Sequence, residues 1–264
     1  MSNSKFTPMI LSKNSPSGSY VGFWPGCQDA ADGRTTIVDQ SGKSNDLLLG
    51  AQATYAAVTG TSGYASIVGA AATSDKSLAT SGVLPWDMYA GQSLIVAFVI
   101  KAAAPGATAT IFNARGAYGD VKGVALVVDL NGKPIIYIRD TGTTFATNLP
   151  TNVICDGAEH IIVVAIDGTS KTAYGWVDGT AWSTLTSGQA VTATAGSTQG
   201  NDPVRWGAAG DFVAASVGTW VNGATLNLRY MHVMVSNSWP SNIAAIVKEL
   251  TKNIHRPLSI KLLP

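Results

Sequence analysis

The chain has 264 residues and a net charge of +1, with 46% hydrophobic and only 12% charged residues, where soluble domains average roughly 25% charged. Fourteen of its sixteen acidic residues are Asp; Glu159 and Glu249 are the only glutamates, so an alternating Glu-x-Asp-x-Glu glycosidase motif is excluded. The near-neutral balance argues against polyanion binding by the chain as a whole, and its apolar runs, 94–100 and 161–166, fall short of the about 20 residues of a spanning helix.

Residues 1–19 read as an irregular arm. Pro8, Pro16 and Gly18 interrupt it, and Met9, Ile10 and Leu11 are its only apolar cluster. It has no apolar stretch of the kind that directs secretion. An aromatic strand is expected over 20–24. The stretches 39–42 and 44–46 carry Asp, Asn, Ser and Gly, which form turns by capping their own backbone. A strand starts at Leu47. Residues 50–82 are rich in Ala, Gly, Ser and Thr and read as short strands and loops.

The centre is more regular. Buried strands are expected at 94–100 and 110–113. Strands at 124–130 and 135–138 flank Asn131 and Gly132, a pair that predicts a tight hairpin with positive φ at both positions. A second hairpin joins 160–166 to 172–177 through Asp167–Lys171. Asp178 and Gly179 make a third turn before Trp182. A polar loop follows over 186–203, then strands at 204–207 and 226–235. Ile243, Ile246, Val247, Leu250 and Ile254 fall on one helical stripe, which predicts a helix over 241–253 with Pro240 at its first turn. The segment 254–264 reads as an extended tail. The last 24 residues hold four Lys or Arg and one Glu, net +3, and the first 240 carry −2. A basic end suits a helix C-terminus.

Short strands, closely spaced turns and one terminal helix predict an all-β fold. The expected architecture is an antiparallel β-sandwich forming one domain over 20–253, with arms at both ends.

The catalytic motifs fail on inspection. Ser41, Gly42, Lys43 and Ser44 imitate the end of a phosphate loop, but Ile37 stands where the first glycine is needed. No serine has glycine two positions before and two after, so there is no nucleophile elbow. His160, His232 and His255 lack metal or general-base spacing to one another, and a structural role is expected for them. On a strand, Glu159 and His160 point to opposite faces. Asp39, Asp46, Asp129, Asp156, Asp167 and Asp178 could offer oxygens to calcium, but their Gly and Asn neighbours favour turn formation. Cys27 and Cys155 are expected to be lone thiols.

Seven tryptophans remain. Aromatic rings stack on sugar faces but also fill cores. Trp24 and Trp176 lie in strand-like runs and are expected in the core. Trp86, Tyr89, Tyr118 and Trp220 lie near Gly, Asp or Pro and are the candidate glycan contacts.

Over about residues 20–253 the order of segments resembles the laminin-G-like, concanavalin A-like jelly roll. The resemblance rests on the aromatic strand at 20–24, the turn at Asp39–Gly42 and the hairpin at 123–132. Its most specific stretch is Asp156, Gly157, His160, Asp167, Gly168 and Thr169, followed by Trp176, Val177, Asp178 and Gly179. The ending, from Trp239 and Pro240 through the helix to Arg256, Pro257 and an apolar tail, is similar to phage proteins of this jelly-roll type, with Ile254 and His255 where those have Pro-Trp.

The resemblance implies a non-enzymatic virion structural protein, carried on the capsid as decoration or on the tail. The arms, through Met9, Ile10, Leu11, Arg256, Leu258, Ile260 and Leu262, would bind other virion proteins or copies of the chain, with a trimer the expected form. The alternative is a carbohydrate-binding or host-adhesion module. No cofactor, nucleic acid or membrane partner is expected.

Overall fold

The computed structural model describes residues 20–24, 36–39, 41–49, 53–56, 64–68, 78–80, 91–115, 123–140, 143–148, 153–170, 172–181, 204–207 and 225–254. These form β1 (Tyr20–Trp24), β2 (Thr36–Ile37), β3 (Leu47–Leu49), β4 (Ala53–Ala56), β5 (Tyr64–Val68), β6 (Leu78–Thr80), β7 (Ser93–Ala103), β8 (Ala109–Arg115), β9 (Gly123–Val128), β10 (Pro134–Asp140), β11 (Thr143–Asn148), β12 (Asp156–Asp167), β13 (Thr172–Val177), β14 (Thr180–Ala181), β15 (Arg205–Trp206), β16 (Thr225–Ser236) and the helix α1 (Ile243–Ile254).

The strands pair into two antiparallel sheets. The first has the order β14-β13-β12-β7-β16-β5-β4, with β1 also paired to β16. The second has the order β11-β10-β9-β8-β15-β6-β3-β2. Alternation along each strand sends one set of side chains between the sheets. Phe98 and Ile100 of β7, Ile162 and Val164 of β12 and Val233 of β16 meet Phe112, Leu126, Ile136 and Trp206 from the second sheet. Trp206 stands edge-on to Phe98 and Phe112, with centroids 5.3 and 4.8 Å away. The expected all-β sandwich with one C-terminal helix is the fold observed.

The first sheet also buries much of its outer side. Ile95, Ala97, Val163, Ala165 and Met234 lie under Ile246, Val247 and Leu250 of α1. This explains why β7 and β12 read as unbroken apolar runs. Each large aliphatic side chain of α1 so buried contributes about 1.5–3 kcal/mol. The helix starts later than the sequence suggested. Pro240 precedes it, and the Ile246 N–H donates to the Asn242 carbonyl at 3.1 Å. Among the described residues, no helix is long and apolar enough to cross a membrane.

One turn differs from expectation, and another forms where it was expected. At Asn131–Gly132 only Gly132 has positive φ, at 79°. Asp129 Oδ1 accepts from the N–H groups of Asn131 and Lys133, so the connection is a longer loop with one left-handed glycine. The doubly left-handed pair occurs instead at Asp178 (φ 51°) and Gly179 (φ 79°), between β13 and β14.

A bulge also shifts β16. Arg229 pairs with Val99 and His232 with Ala97, leaving two residues opposite one. Leu226 and Leu228 face the interior before it, and Met231 and Val233 after it. The extra residue is Tyr230, at φ 50°, so Arg229 and Tyr230 both belong to the outer side of the sheet.

Candidate binding face

Strand β13 reads Thr172, Ala173, Tyr174, Gly175, Trp176, Val177, with burial alternating along it. Ala173 and Val177 join the interior cluster. Tyr174 and Trp176 therefore share the outer side, paired in register with Ala165 and Val163 of β12. Trp239, from the link between β16 and α1, reaches the same place. Its ring lies 4.8 Å from that of Tyr174 at 35°, and Tyr174 lies 6.5 Å from Trp176 at 22°. All three are half-buried. Trp176, Trp239 and Ile243 rest against the apolar cluster beneath α1. The result is a ladder of three half-buried aromatic rings, two of which, Trp176 and Trp239, are seated on that cluster. Strand β14 pairs only with Trp176 and Val177, so among the described residues 172–175 form an edge of the sheet.

A polar clamp holds the far end of β13. Both nitrogens of His160 face carboxylates, Nδ1 to Asp178 Oδ2 at 2.8 Å and Nε2 to Asp156 Oδ1 at 3.1 Å. The other oxygen of Asp178 accepts from the Ile161 N–H at 2.8 Å. Burial works against protonating His160, but the hydrogen bonds to Asp178 and Asp156 outweigh it and raise its pKa. Asp156 is lowered, first by the Ala158 N–H; burial opposes this, and the hydrogen bond and charge of His160 lower it further. As expected, Glu159 turns the other way. Its carboxylate pairs with Arg229, whose guanidinium carbon stands 5.4 Å from the Tyr230 ring centre.

The remaining turn carboxylates serve their own loops. Asp39 accepts from the N–H of Phe23, Ser41 and Asn45 and from the Ser41 hydroxyl. Asp46 accepts from the Asp39 N–H. Asp167 accepts from the Thr169 N–H and the Ser170 hydroxyl. These contacts are those of turn formers. His232 is fully buried, stacks on Phe23 with ring centres 4.3 Å apart, and has its pKa pushed down to about 3 by desolvation. Cys155 is a free thiol buried beside Gly132 in the link that leads into β12; burial and then the charges of Asp156 and Asp129 push its pKa up to about 12.

The candidate glycan contacts Trp86, Tyr89, Tyr118 and Trp220 lie outside the described residues, as do Cys27, His255, and the arm positions Met9, Ile10, Leu11, Arg256, Leu258, Ile260 and Leu262. Trp24 is in the core as expected. Trp176 is not: it belongs to the outer ladder, because Val177 and Ala173 take the interior positions. The sequence did carry a signal for the ladder. Two aromatics at i and i+2 on a strand must share a face, and their alternation with Ala and Gly marks the partner face as the tightly packed one.

No family model matches this chain, and no curated protein matches it. Among solved structures, it is similar to the binding domain of Paraclostridial Mosquitocidal Protein 1, at 10% identity and TM-score 0.62, over 88% of this chain and 52% of that one. A structure concerned with cell entry of botulinum neurotoxin type C through two ganglioside molecules matches at 10% identity and TM-score 0.58, over 88% of this chain and 51% of that one. Trypanosoma rangeli sialidase matches at 14% identity and TM-score 0.58, over 90% of this chain and 33% of that one. This chain thus spans about half the length of the toxin chains and a third of the sialidase. At such identities the likeness shows a shared β-sandwich fold and nothing finer.

Proposed function

We propose that this protein is a non-enzymatic recognition module that attaches to a receptor on a cell surface through the outer side of its first sheet. The observation that carries this reading is the Tyr174–Trp176–Trp239 ladder, assembled on one side from segments far apart in sequence. Half-buried aromatics seated on a packed apolar cluster are what binding surfaces use. The carboxylates support the same reading. Those of the described turns already accept protein hydrogen bonds, and Glu159, the one glutamate of the sandwich before α1, is engaged by Arg229. The fold likeness includes a protein described as a binding domain and one whose cell entry depends on gangliosides, which fits an adhesion role better than a purely structural one.

A virion setting is compatible with this reading. It is supported by the sequence of the arms at 1–19 and 254–264, which suit attachment to a larger particle. The recognition reading is tested by measuring retention of the purified, fluorescently labelled protein on a panel of intact bacterial cells. Saturable binding that unlabelled protein displaces is expected for at least one strain. Absence of saturable binding across a broad panel would remove the reading.

A further inference from the structure

Resting on that recognition reading, we infer that the Tyr174–Trp176–Trp239 ladder takes the apolar faces of an uncharged saccharide chain. The C–H faces of pyranose rings are flat and apolar and rest on aromatic rings, while their hydroxyls remain at the rim and in water. The two steps of the ladder, 4.8 and 6.5 Å, are of the order of one sugar residue in an extended chain. The ligand is therefore a run of at least two units rather than a single terminal sugar.

Charge selects the class of sugar. Among the described residues, Val163 and Ala165 in register with the ladder, Ile243 in the same apolar cluster and Thr172 on the same strand are not ionic. The acid in register with Thr172 is Asp167, and both of its oxygens already accept hydrogen bonds from its own turn. A carboxylated or sulfated sugar would find no cation among these groups, whereas a neutral one loses nothing. Hydroxyl partners are offered two residues before Trp239 in the chain, where the Gln92 side-chain amide donates to that of Asn237 at 3.3 Å on the surface. The site is also preorganised. Six register pairs fix β13 on β12, and Trp239 is seated on the cluster under α1, so little side-chain freedom is lost on binding.

The test is titration of the full chain with neutral hexasaccharides of gluco, galacto and manno configuration, and with carboxylated oligosaccharides, followed by tryptophan fluorescence at low and high salt. A saturable emission change with at least one neutral hexasaccharide, insensitive to salt, is expected. Trp176→Ala and Trp239→Ala should each weaken it roughly tenfold, the loss of one stacking contact, and Trp176→Phe should retain most of it. Near-UV circular dichroism identifies any variant that fails to fold, and Trp176→Phe then carries the comparison with wild type. Binding confined to carboxylated sugars, with steep salt dependence, would overturn the assignment. So would affinity unchanged in folded Trp176→Ala and Trp239→Ala. Cell binding that persists without any response to sugars would overturn the ligand class and leave the receptor reading standing. No cell binding at all would remove the receptor reading itself.

Discussion

His160 Nδ1 lies 2.8 Å from Asp178 Oδ2, and that contact joins the start of the exposed part of β12 to the left-handed turn that ends β13. A neutral imidazole has one N–H and can satisfy only one carboxylate as donor, whereas the imidazolium donates to both Asp178 and Asp156. The folded protein therefore favours the charged ring, and the raised pKa of His160 follows despite burial.

The consequence for stability has a definite sign. A histidine whose pKa is higher in the folded than in the unfolded state stabilises fully below the unfolded value, about 6.5, and loses that contribution as pH rises through the folded value. His160→Ala should lower the unfolding free energy measured in urea most in mildly acidic buffer, by about 1 kcal/mol, and the gap to wild type should narrow above neutral pH. Asp156 acts in the opposite direction, since its lowered pKa gives stability that is lost only as pH falls below the usual carboxylate range. A gap that widens with rising pH would contradict the doubly paired geometry.

Tyr230 occupies a left-handed conformation at φ 50°, which costs an L-residue roughly 1–2 kcal/mol. Both Tyr230→Ala and Tyr230→Gly remove the buried ring, but only glycine relieves the backbone. Tyr230→Gly should therefore be the more stable of the two by about 1 kcal/mol in chemical denaturation, the reverse of the usual order in a strand. Equal stabilities, or alanine ahead, would mean that the bulge relaxes without cost.

The same bulge shows why parts of the fold were legible from sequence and parts were not. The Asp167–Lys171 hairpin and the stripe of α1 announce themselves through local chemistry: turn formers between apolar runs, and apolar residues at helical spacing. The bulge needs a subtler signal. In β16 the interior positions run 226, 228, then 231, 233, a phase slip that strict alternation hides, because Met231 and Val233 look no different from Tyr230 and His232. The ladder failed to be legible for a related reason. Period two places Tyr174 and Trp176 on one face, but which face meets solvent depends on where α1 docks. Trp239 sits next to Pro240 and reads as an ordinary turn residue until the helix brings it over β13.

Cys155 and Gly132 form a packed pair. A Cβ built on Gly132 would lie 2.7 Å from the Cys155 Cβ and 3.0 Å from its carbonyl oxygen, and the φ of 79° already disfavours any side chain. Gly132→Ala should thus cost at least about 2 kcal/mol. The thiol, with its pKa pushed up to about 12 and its side chain buried, should resist alkylation by iodoacetamide in native buffer. It should react once denaturant opens the 129–133 loop, with the Cys155 peptide followed by mass spectrometry. Rapid native labelling of that peptide would show that the loop opens locally.

The arms give the last prediction, which separates attachment from recognition. Deleting residues 1–15 removes none of the described sheet pairings, the first of which belongs to β1 at Tyr20. Its thermal midpoint should therefore stay within a few degrees of wild type, since a change of about 1 kcal/mol moves a domain of this size only about 2–4 °C. The ladder lies on β13 and the link to α1, so sugar or cell binding by the isolated truncated protein should also be unchanged. If the arm holds the protein to a particle by adding a strand to a neighbour's sheet edge, incorporation into that particle should be lost in the same variant. Retained incorporation would assign attachment to another surface. A collapse of the thermal midpoint would show instead that residues 1–15 are part of the folded body.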